Sequence, residues 1–216
     1  MAKEDKVINI IKKRIQEAPG TAIFFNSSFP EFDDEYVGQI LSGLAKQGVI
    51  HRLSRGVYAK AIETRFGLLF PLIHEIAEAI AKRDNAEIIP TGVYAENYLG
   101  LSTQVPMKYV YLTSGSTRKL IVNGVTISFR HAALKNFAIK NRYTSLIVQV
   151  LKDHGEGNVP EELMGPIQSL ILTHPELETI KGDLAFMPAW IRRFFIKTLK
   201  ASFMEKYNIL SQHRRE

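Results

Sequence analysis

Nine side chains between residues 28 and 60 are of types that proteins use to bond to base edges and phosphates. A glutamine amide can bond to two atoms of adenine, and a lysine can reach guanine or a phosphate. Gln39 and Lys46 are therefore candidates for reading bases, whereas the two arginines and Lys60 suit phosphates or the minor groove. The full candidate set is Ser28, Glu35, Gln39, Ser42, Lys46, Arg52, Ser54, Arg55 and Lys60.

A short helix and a hairpin must position these side chains. The helix is predicted over residues 34–47 and ends at Gly48. Residues 49–53 and 57–59 are β-prone and flank the turn Ser54-Arg55-Gly56. Helical spacing of apolar residues assigns the helix one buried face, formed by Val37, Ile40, Leu41 and Leu44.

The whole chain is predicted to be an α+β protein in three parts. A helix over Lys3–Glu17 and a strand over Thr21–Phe25 precede the helix and hairpin, which gives residues 1–60 the element order of a winged helix-turn-helix domain. Residues 61–150 are predicted to form a small α/β domain with a largely antiparallel sheet. Residues 151–216 are predicted to be a helical region packed on that second domain.

Within residues 61–150 the apolar spacing predicts a helix over Phe66–Lys82. Asn123-Gly124 lies between two β-prone segments and predicts a hairpin. Four basic side chains around these strands are candidates for a second nucleic-acid or partner surface: Lys108, Arg118, Lys119 and Arg130. The alternative for this set is a solvated sheet face, because strand faces toward water are commonly basic.

Later segments are predicted to have structural roles. Thr91-Gly92 is predicted to begin a short helix that packs its aromatic residues. Further helices are predicted over Ser145–Asp153, Pro160–Thr173 and Pro188–Lys206. The last of these is amphipathic and basic, which fits a core helix with a solvated face and also leaves a supporting nucleic-acid role open.

The charge of the chain supports a polyanionic partner without demanding one. The net charge is +6 and the isoelectric point is near 9.4. Residues 1–60 carry nine Lys and Arg against seven Asp and Glu, and three of the acids lie together at Asp33, Asp34 and Glu35. These acids suit a helix N-terminus but oppose phosphate. The alternative is an ordinary surface helix beside two exposed arginines.

The sequence lacks the residues that several classes of function require. The chain has no cysteine, and its six histidines show no metal-ligand spacing, so neither a metal site nor a cofactor is expected. Thr113-Ser-Gly-Ser116 is similar to the turn of nucleotidyltransferases, but the next acid is Asp153, too distant to hold magnesium there. We therefore expect no enzymatic activity, and a metal-dependent nuclease is the remaining enzymatic alternative.

No membrane association is expected. The longest strongly apolar stretch, Phe66–Ile73, contains Pro71 and is too short to span a bilayer. The charged N-terminus does not read as a secretory signal, so we expect a cytoplasmic protein.

Residues Gly48–Tyr58 resemble the wing of the AbiEi-like antitoxins of bacterial type IV toxin–antitoxin systems. The resemblance continues through Pro90–Pro106, with its Thr-Gly and Leu-Gly-Leu segments, and through Tyr109–Thr113 and Ile127–His131. It covers about residues 1–150, and residues 151–216 match nothing in that pattern.

The resemblance implies an autoregulating repressor. In that family the N-terminal winged helix binds double-stranded DNA at the operon's own promoter, and the rest of the chain counteracts a nucleotidyltransferase-like toxin without a stable complex. Some relatives are orphan transcription regulators, which leaves open an alternative in which the second domain binds another protein.

Overall fold

The structure is a computed structural model that describes residues 2–173 and 177–212, with side chains for residues 6–173 and 180–201. It is an α+β fold that contains, within those residues, eight α-helices and nine strands. The chain divides into two units. The first contains the residues up to Ala86 and Arg118–Ile127, and the second contains Glu87–Thr117 and the residues from Ser128 onward.

The N-terminal part of the first unit contains two helices and a 3₁₀ turn: α1 (Ala2–Glu17), the turn Asn26–Ser28 and α2 (Asp34–Lys46). The prediction of a helix over 34–47 is confirmed, and its four spaced apolar residues are all buried. Asp33 begins α2, because its carboxylate accepts a hydrogen bond from the Tyr36 backbone N–H at 2.9 Å. The core between the helices contains Ile11, Ile15, Phe29, Val37, Leu41 and Ile50.

A three-stranded antiparallel sheet completes this core. Its strands are β1 (Ile23–Phe24), β2 (His51–Ser54) and β3 (Val57–Ala59), in the order β1-β3-β2. The predicted hairpin at 49–59 is confirmed. Gly56 closes its turn at a φ of +70°, a conformation that glycine adopts without steric cost.

The predicted helix over Phe66–Lys82 is wrong in its first half. Residues 62–69 form instead a second hairpin, β4 (Ile62–Thr64) and β5 (Gly67–Leu69), and helix α3 spans Ile73–Arg83. Pro71 lacks the backbone N–H that a helix interior needs and disfavours a helix that continues across it, and the apolar spacing on its two sides belongs to two elements. The Glu75 carboxylate accepts the Leu72 N–H at 2.7 Å and fixes the helix start beyond the proline.

A third hairpin returns the chain to the first unit. It joins β8 (Arg118–Val122) and β9 (Val125–His131) through Asn123-Gly124, as predicted, and both turn residues have a positive φ. β8 lies beside β2, and Arg118 forms an ion pair with Asp84 just after α3. α3 and residues 118–127 belong to the first unit together with the N-terminal elements.

The second unit surrounds one helix. Helix α5 (Arg142–His154) buries Leu146, Ile147, Val150 and Leu151. Its other elements are β6 (Ile88–Thr91), α4 (Val93–Tyr98), β7 (Lys108–Thr113), 3₁₀ turns at Leu134–Phe137 and Leu184–Phe186, α6 (Glu161–Thr173), α7 (Leu177–Asp183) and α8 (Ala189–Gln212). β6 pairs antiparallel with β7.

The three later helices predicted from sequence are confirmed, with bounds shifted by a few residues. Ile167 and Ile171 of α6 and Ile191 and Phe195 of α8 share one apolar core with α5. Over the part of the chain that the structure describes, no helix is both long enough and apolar enough to cross a membrane.

Candidate nucleic-acid interface

The outward face of α2 borders an open groove. Glu35, Gln39 and Lys46 are exposed on this face, and Ser42 is half-buried between them. They recur three or four residues apart, so they form one stripe opposite the buried stripe of the same helix. Four of the nine sequence-predicted contacts are thus brought together. The remaining lining residues are Asn26, Asp34, Gly38 and Gly43.

Two of the residues that line this groove are glycines and add no side chain to it. A Cβ atom at Gly43 would have no heavy atom within 4 Å, so the space above that residue is open. A Cβ atom at Gly38 would lie 3.0 Å from Nδ2 of Asn26. Helix interiors ordinarily disfavour glycine by about 1 kcal/mol relative to alanine. At Gly43 the fold itself gives no steric reason for a glycine.

Asn26 is a groove residue that the sequence reasoning missed. Its Nδ2 atom donates to the backbone oxygen and to the carboxylate of Asp34, each at 3.2 Å. Asp33 accepts the Tyr36 N–H, so two of the three acids at the start of α2 are engaged locally. Glu35 remains as the exposed carboxylate on the stripe. An asparagine directly before a Ser-Ser turn was the available sequence signal.

The hairpin β2–β3 presents two arginines. Arg52 on β2 and Arg55 in the turn are exposed, and Ser54 between them is half-buried. Leu53 is buried, because neighbouring strand residues alternate between faces. Within residues 6–173 and 180–201, neither arginine forms an ion pair. Both guanidinium groups are therefore available to an external anion.

Two of the predicted contact residues have hydrogen-bond partners within the protein. Lys60 Nζ donates to the backbone oxygens of Gln16 at 2.8 Å and Ala18 at 2.7 Å. The ammonium group thus satisfies carbonyls at the C-terminal end of α1, where positive charge is favoured. The Ser28 hydroxyl accepts the Phe25 N–H at 2.9 Å and closes the turn before α2. Neither side chain borders the groove on α2.

The second predicted basic set is divided between the units. Arg118 and Lys119 belong to the first unit, and Lys108 and Arg130 belong to the second. Arg118 is engaged with Asp84, which also contacts Arg83 at 2.8 Å. Burial raises the pKa of Asp84, but the hydrogen bonds from Arg83 and Arg118 outweigh it and hold this pKa below its ordinary value. Lys108, Lys119 and Arg130 are exposed.

Gly92 in the second unit is held by a hydrogen bond to a side chain of α5. Gly92 has φ +63° and ψ −151°, a conformation essentially restricted to glycine. Its N–H donates to Oδ2 of Asp153 at 2.7 Å, and Oδ1 of the same carboxylate accepts from Gln149 at 2.7 Å. This arrangement fits the structural role predicted from the sequence.

Replacing this glycine tests that role. The substitution Gly92→Ala is expected to destabilise the protein by about 1–3 kcal/mol, because a Cβ atom is strained at this φ and ψ. Urea unfolding followed by circular dichroism measures the effect. Gly182→Ala is the control, because Gly182 lies in α7 with open space around it. Equal unfolding midpoints for wild type and Gly92→Ala would contradict the backbone constraint.

Among the described residues, no group of three His, Cys, Asp or Glu side chains is arranged to hold a metal ion. No curated protein matches the chain. A sequence model of one protein family matches residues 10–179, a segment that includes the stripe on α2 and both arginines of the hairpin. Since the matched segment is most of the chain, the protein belongs to DUF6088, a family of unknown function.

Proposed function

We propose that the first unit is a winged helix-turn-helix domain that binds double-stranded DNA. α2 is the helix that enters the major groove, and the β2–β3 hairpin is the wing. The observation that carries the proposal is the outer stripe of α2, where Gln39, Ser42 and Lys46 border an open groove. Their amide, hydroxyl and ammonium groups can all hydrogen-bond to base edges.

The shape of this face favours close approach. The major groove of B-DNA is roughly 12 Å wide and admits a helix of about 10–12 Å diameter with its side chains. Gly38 and Gly43 lower the surface between the polar side chains, so the backbone of α2 can come nearer to the base edges. A helix with long side chains at both positions would be kept further out.

The charges on this face allow few phosphate contacts. Arg52 and Arg55 are the two cations on the hairpin that are available for phosphates. Asp33 and Asp34 are engaged with the N-terminus of α2 and with Asn26, which limits the repulsion that they exert on DNA. Each phosphate neutralised adds about 0.9 to the dependence of log affinity on log salt, so this slope counts the contacts.

The biological role that we propose is that of an antitoxin-like repressor in the cytoplasm. It binds the promoter of its own operon sequence-specifically and counteracts a nucleotidyltransferase-like toxin. The resemblance of Gly48–Tyr58 and Pro90–Pro106 to the AbiEi-like antitoxins supports this proposal. The role requires no catalytic residue and no cofactor.

Binding to DNA from upstream of the protein's own gene tests the first part of the proposal. A labelled duplex and a shuffled duplex of the same composition are titrated by fluorescence anisotropy at several salt concentrations. We expect tighter binding to the native duplex and an affinity that falls steeply with salt. Equal, weak binding to both duplexes would overturn the proposal. Cleavage of the duplex in added Mg²⁺ would favour the nuclease alternative.

Co-expression tests the antitoxin part. We expect a nucleotidyltransferase-like gene immediately downstream, and we expect co-expression of this protein to restore growth to cells that express its product. Growth of cells with each gene alone is the control. If no such gene is present, or if growth is not restored, the protein is a transcription regulator without a toxin, and the DNA-binding proposal still stands.

A further inference from the structure

The second unit contains a cleft that the proposed DNA contacts do not use. It lies beside α5, between the turn Leu134–Phe137 and the segment that leads into α8, and its volume is about 350 Å³. This volume is at the small end of the range for ligand clefts, roughly 300–1,000 Å³. A small organic molecule would fit.

Two lysines give the cleft its charge. Lys135 and Lys152 both line it, and none of its described lining residues is acidic. Lys152 Nζ donates to Oδ1 of Asn136 at 2.6 Å, which is a neutral partner. Burial lowers the pKa of Lys152, and repulsion from Lys135 lowers it further, although Asp153 acts in the opposite direction.

The nearby carboxylates are already engaged. Both oxygens of Asp153 accept hydrogen bonds, from Gly92 and from the Gln149 amide. Asp183 accepts the backbone N–H groups of Lys140 and Asn141 at 2.9 and 3.0 Å. Lys135 and Lys152 are exposed at the mouth of the cleft, so an anion from solution can reach both ammonium groups and form charged hydrogen bonds with them.

Apolar side chains form another part of the cleft. Ile139 and Val148 form part of its wall, and the aromatic ring of Phe186 lies at the rim with 56% of the residue exposed. An exposed aromatic ring beside a cationic pair can stack on a flat apolar group of a ligand while its anionic end reaches the cations. The ligand that fits has one strongly charged end and one flat apolar end.

We propose that this cleft binds a phosphorylated nucleoside, with the phosphate between Lys135 and Lys152 and the base against Phe186. A phosphomonoester carries a charge of about −1.5 to −2 at neutral pH, which matches the two ammonium groups, whereas a carboxylate would neutralise only one. The amide oxygen of Gln149, whose Nε2 atom donates to Asp153, can accept a hydrogen bond from the sugar or the base.

Calorimetric titration of the full chain with the four nucleoside 5′-monophosphates tests the proposal. Adenosine and inorganic phosphate are the partial ligands. We expect at least one nucleotide to bind with a dissociation constant below about 1 mM and at least tenfold more tightly than either partial ligand. The proposal is overturned if no nucleotide binds in that range, or if inorganic phosphate or adenosine binds as well as the best nucleotide.

Two variants locate the binding. Lys152→Gln is expected to weaken binding about tenfold or more, since it removes one charged contact. Lys140→Gln is the matched control, because Lys140 is exposed in the same unit and does not line the cleft. Circular dichroism checks that both variants fold. Equal weakening by the two substitutions would place the nucleotide outside the cleft.

The ionisation of Lys152 gives a second readout that does not depend on a variant. In the free protein its pKa lies below the ordinary value for lysine. A bound phosphate stabilises the charged form, so saturating nucleotide is expected to raise this pKa, as followed by NMR of isotope-labelled lysine side chains. A pKa that stays unchanged at saturation would contradict the placement of the phosphate.

Discussion

The substitution Gly43→Glu is expected to reduce affinity for the upstream duplex by at least about a hundredfold while the protein stays folded. Position 43 lies on the outer stripe of α2, in the groove that we assign to the contact with bases. A glutamate there introduces bulk where the backbone must approach closely and negative charge where DNA is negative. The fold tolerates the side chain, because a Cβ atom at this position has no heavy atom within 4 Å.

Stability and DNA binding should respond independently to substitutions at this position. Gly43→Ala is expected to stabilise the protein by about 0.5–1 kcal/mol, because alanine is the better helix former. For Gly43→Glu the gain in helix propensity offsets the unfavourable position of an acid in the second half of α2. Urea unfolding and anisotropy titrations measure the two effects separately.

A matched control separates the effect of the position of the substitution from the effect of the added negative charge. Gln168→Glu makes the same change in net charge on an exposed residue of α6, in the second unit. We expect its affinity for DNA to remain close to that of the wild type. If Gly43→Glu binds the duplex as tightly as Gln168→Glu does, then α2 is not the helix that enters the major groove.

The double substitution Arg52→Ala/Arg55→Ala is expected to weaken binding to the upstream duplex by roughly 10- to 100-fold. Both guanidinium groups are exposed on the β2–β3 hairpin. If each neutralises one phosphate, the slope of log affinity against log salt decreases by about 2. Loss of the contacts should affect native and shuffled duplexes alike, because phosphates carry no sequence information.

The control for the arginine pair is Arg192→Ala/Arg193→Ala on α8. These residues are exposed, and their removal changes the net charge by the same amount. An equal loss of affinity in both double variants would mean that binding follows overall charge rather than the hairpin. An unchanged salt slope in the Arg52→Ala/Arg55→Ala variant would also contradict the assignment of the hairpin as the wing.

Local patterns predicted the first unit well where one element determines its own structure. The apolar spacing of α2 was sufficient to predict this helix, because burial of one helical face leaves a period of 3.6 residues in the sequence. Asn123-Gly124 was sufficient for its hairpin, because few residues adopt a positive φ at both turn positions. The first half of the predicted helix at 66–82 failed because Pro71 interrupts a spacing that otherwise fits a helix.

Contacts between distant residues could not be predicted in this way. Lys60 was predicted to contact phosphate because it is basic and follows the wing, yet it bonds to carbonyls more than 40 residues earlier. The cleft of the second unit joins Lys135 and Lys152 to Phe186, and no sequence period connects them. Asn26 lies outside α2 in the sequence, and its side chain lines the groove on α2, where it bonds to Asp34.

The division of the first unit between two stretches of chain has a consequence for synthesis on the ribosome. Its N-terminal stretch ends at Ala86, but its hairpin segment Arg118–Ile127 is translated only after residues 87–117. At a synthesis rate of roughly 5–20 residues per second, translation of the intervening segment takes a few seconds, and the first unit cannot be completed before then. During that interval its edge beside β2 is uncovered, so a ribosome stalled before residue 118 would present a nascent chain that chaperones can bind.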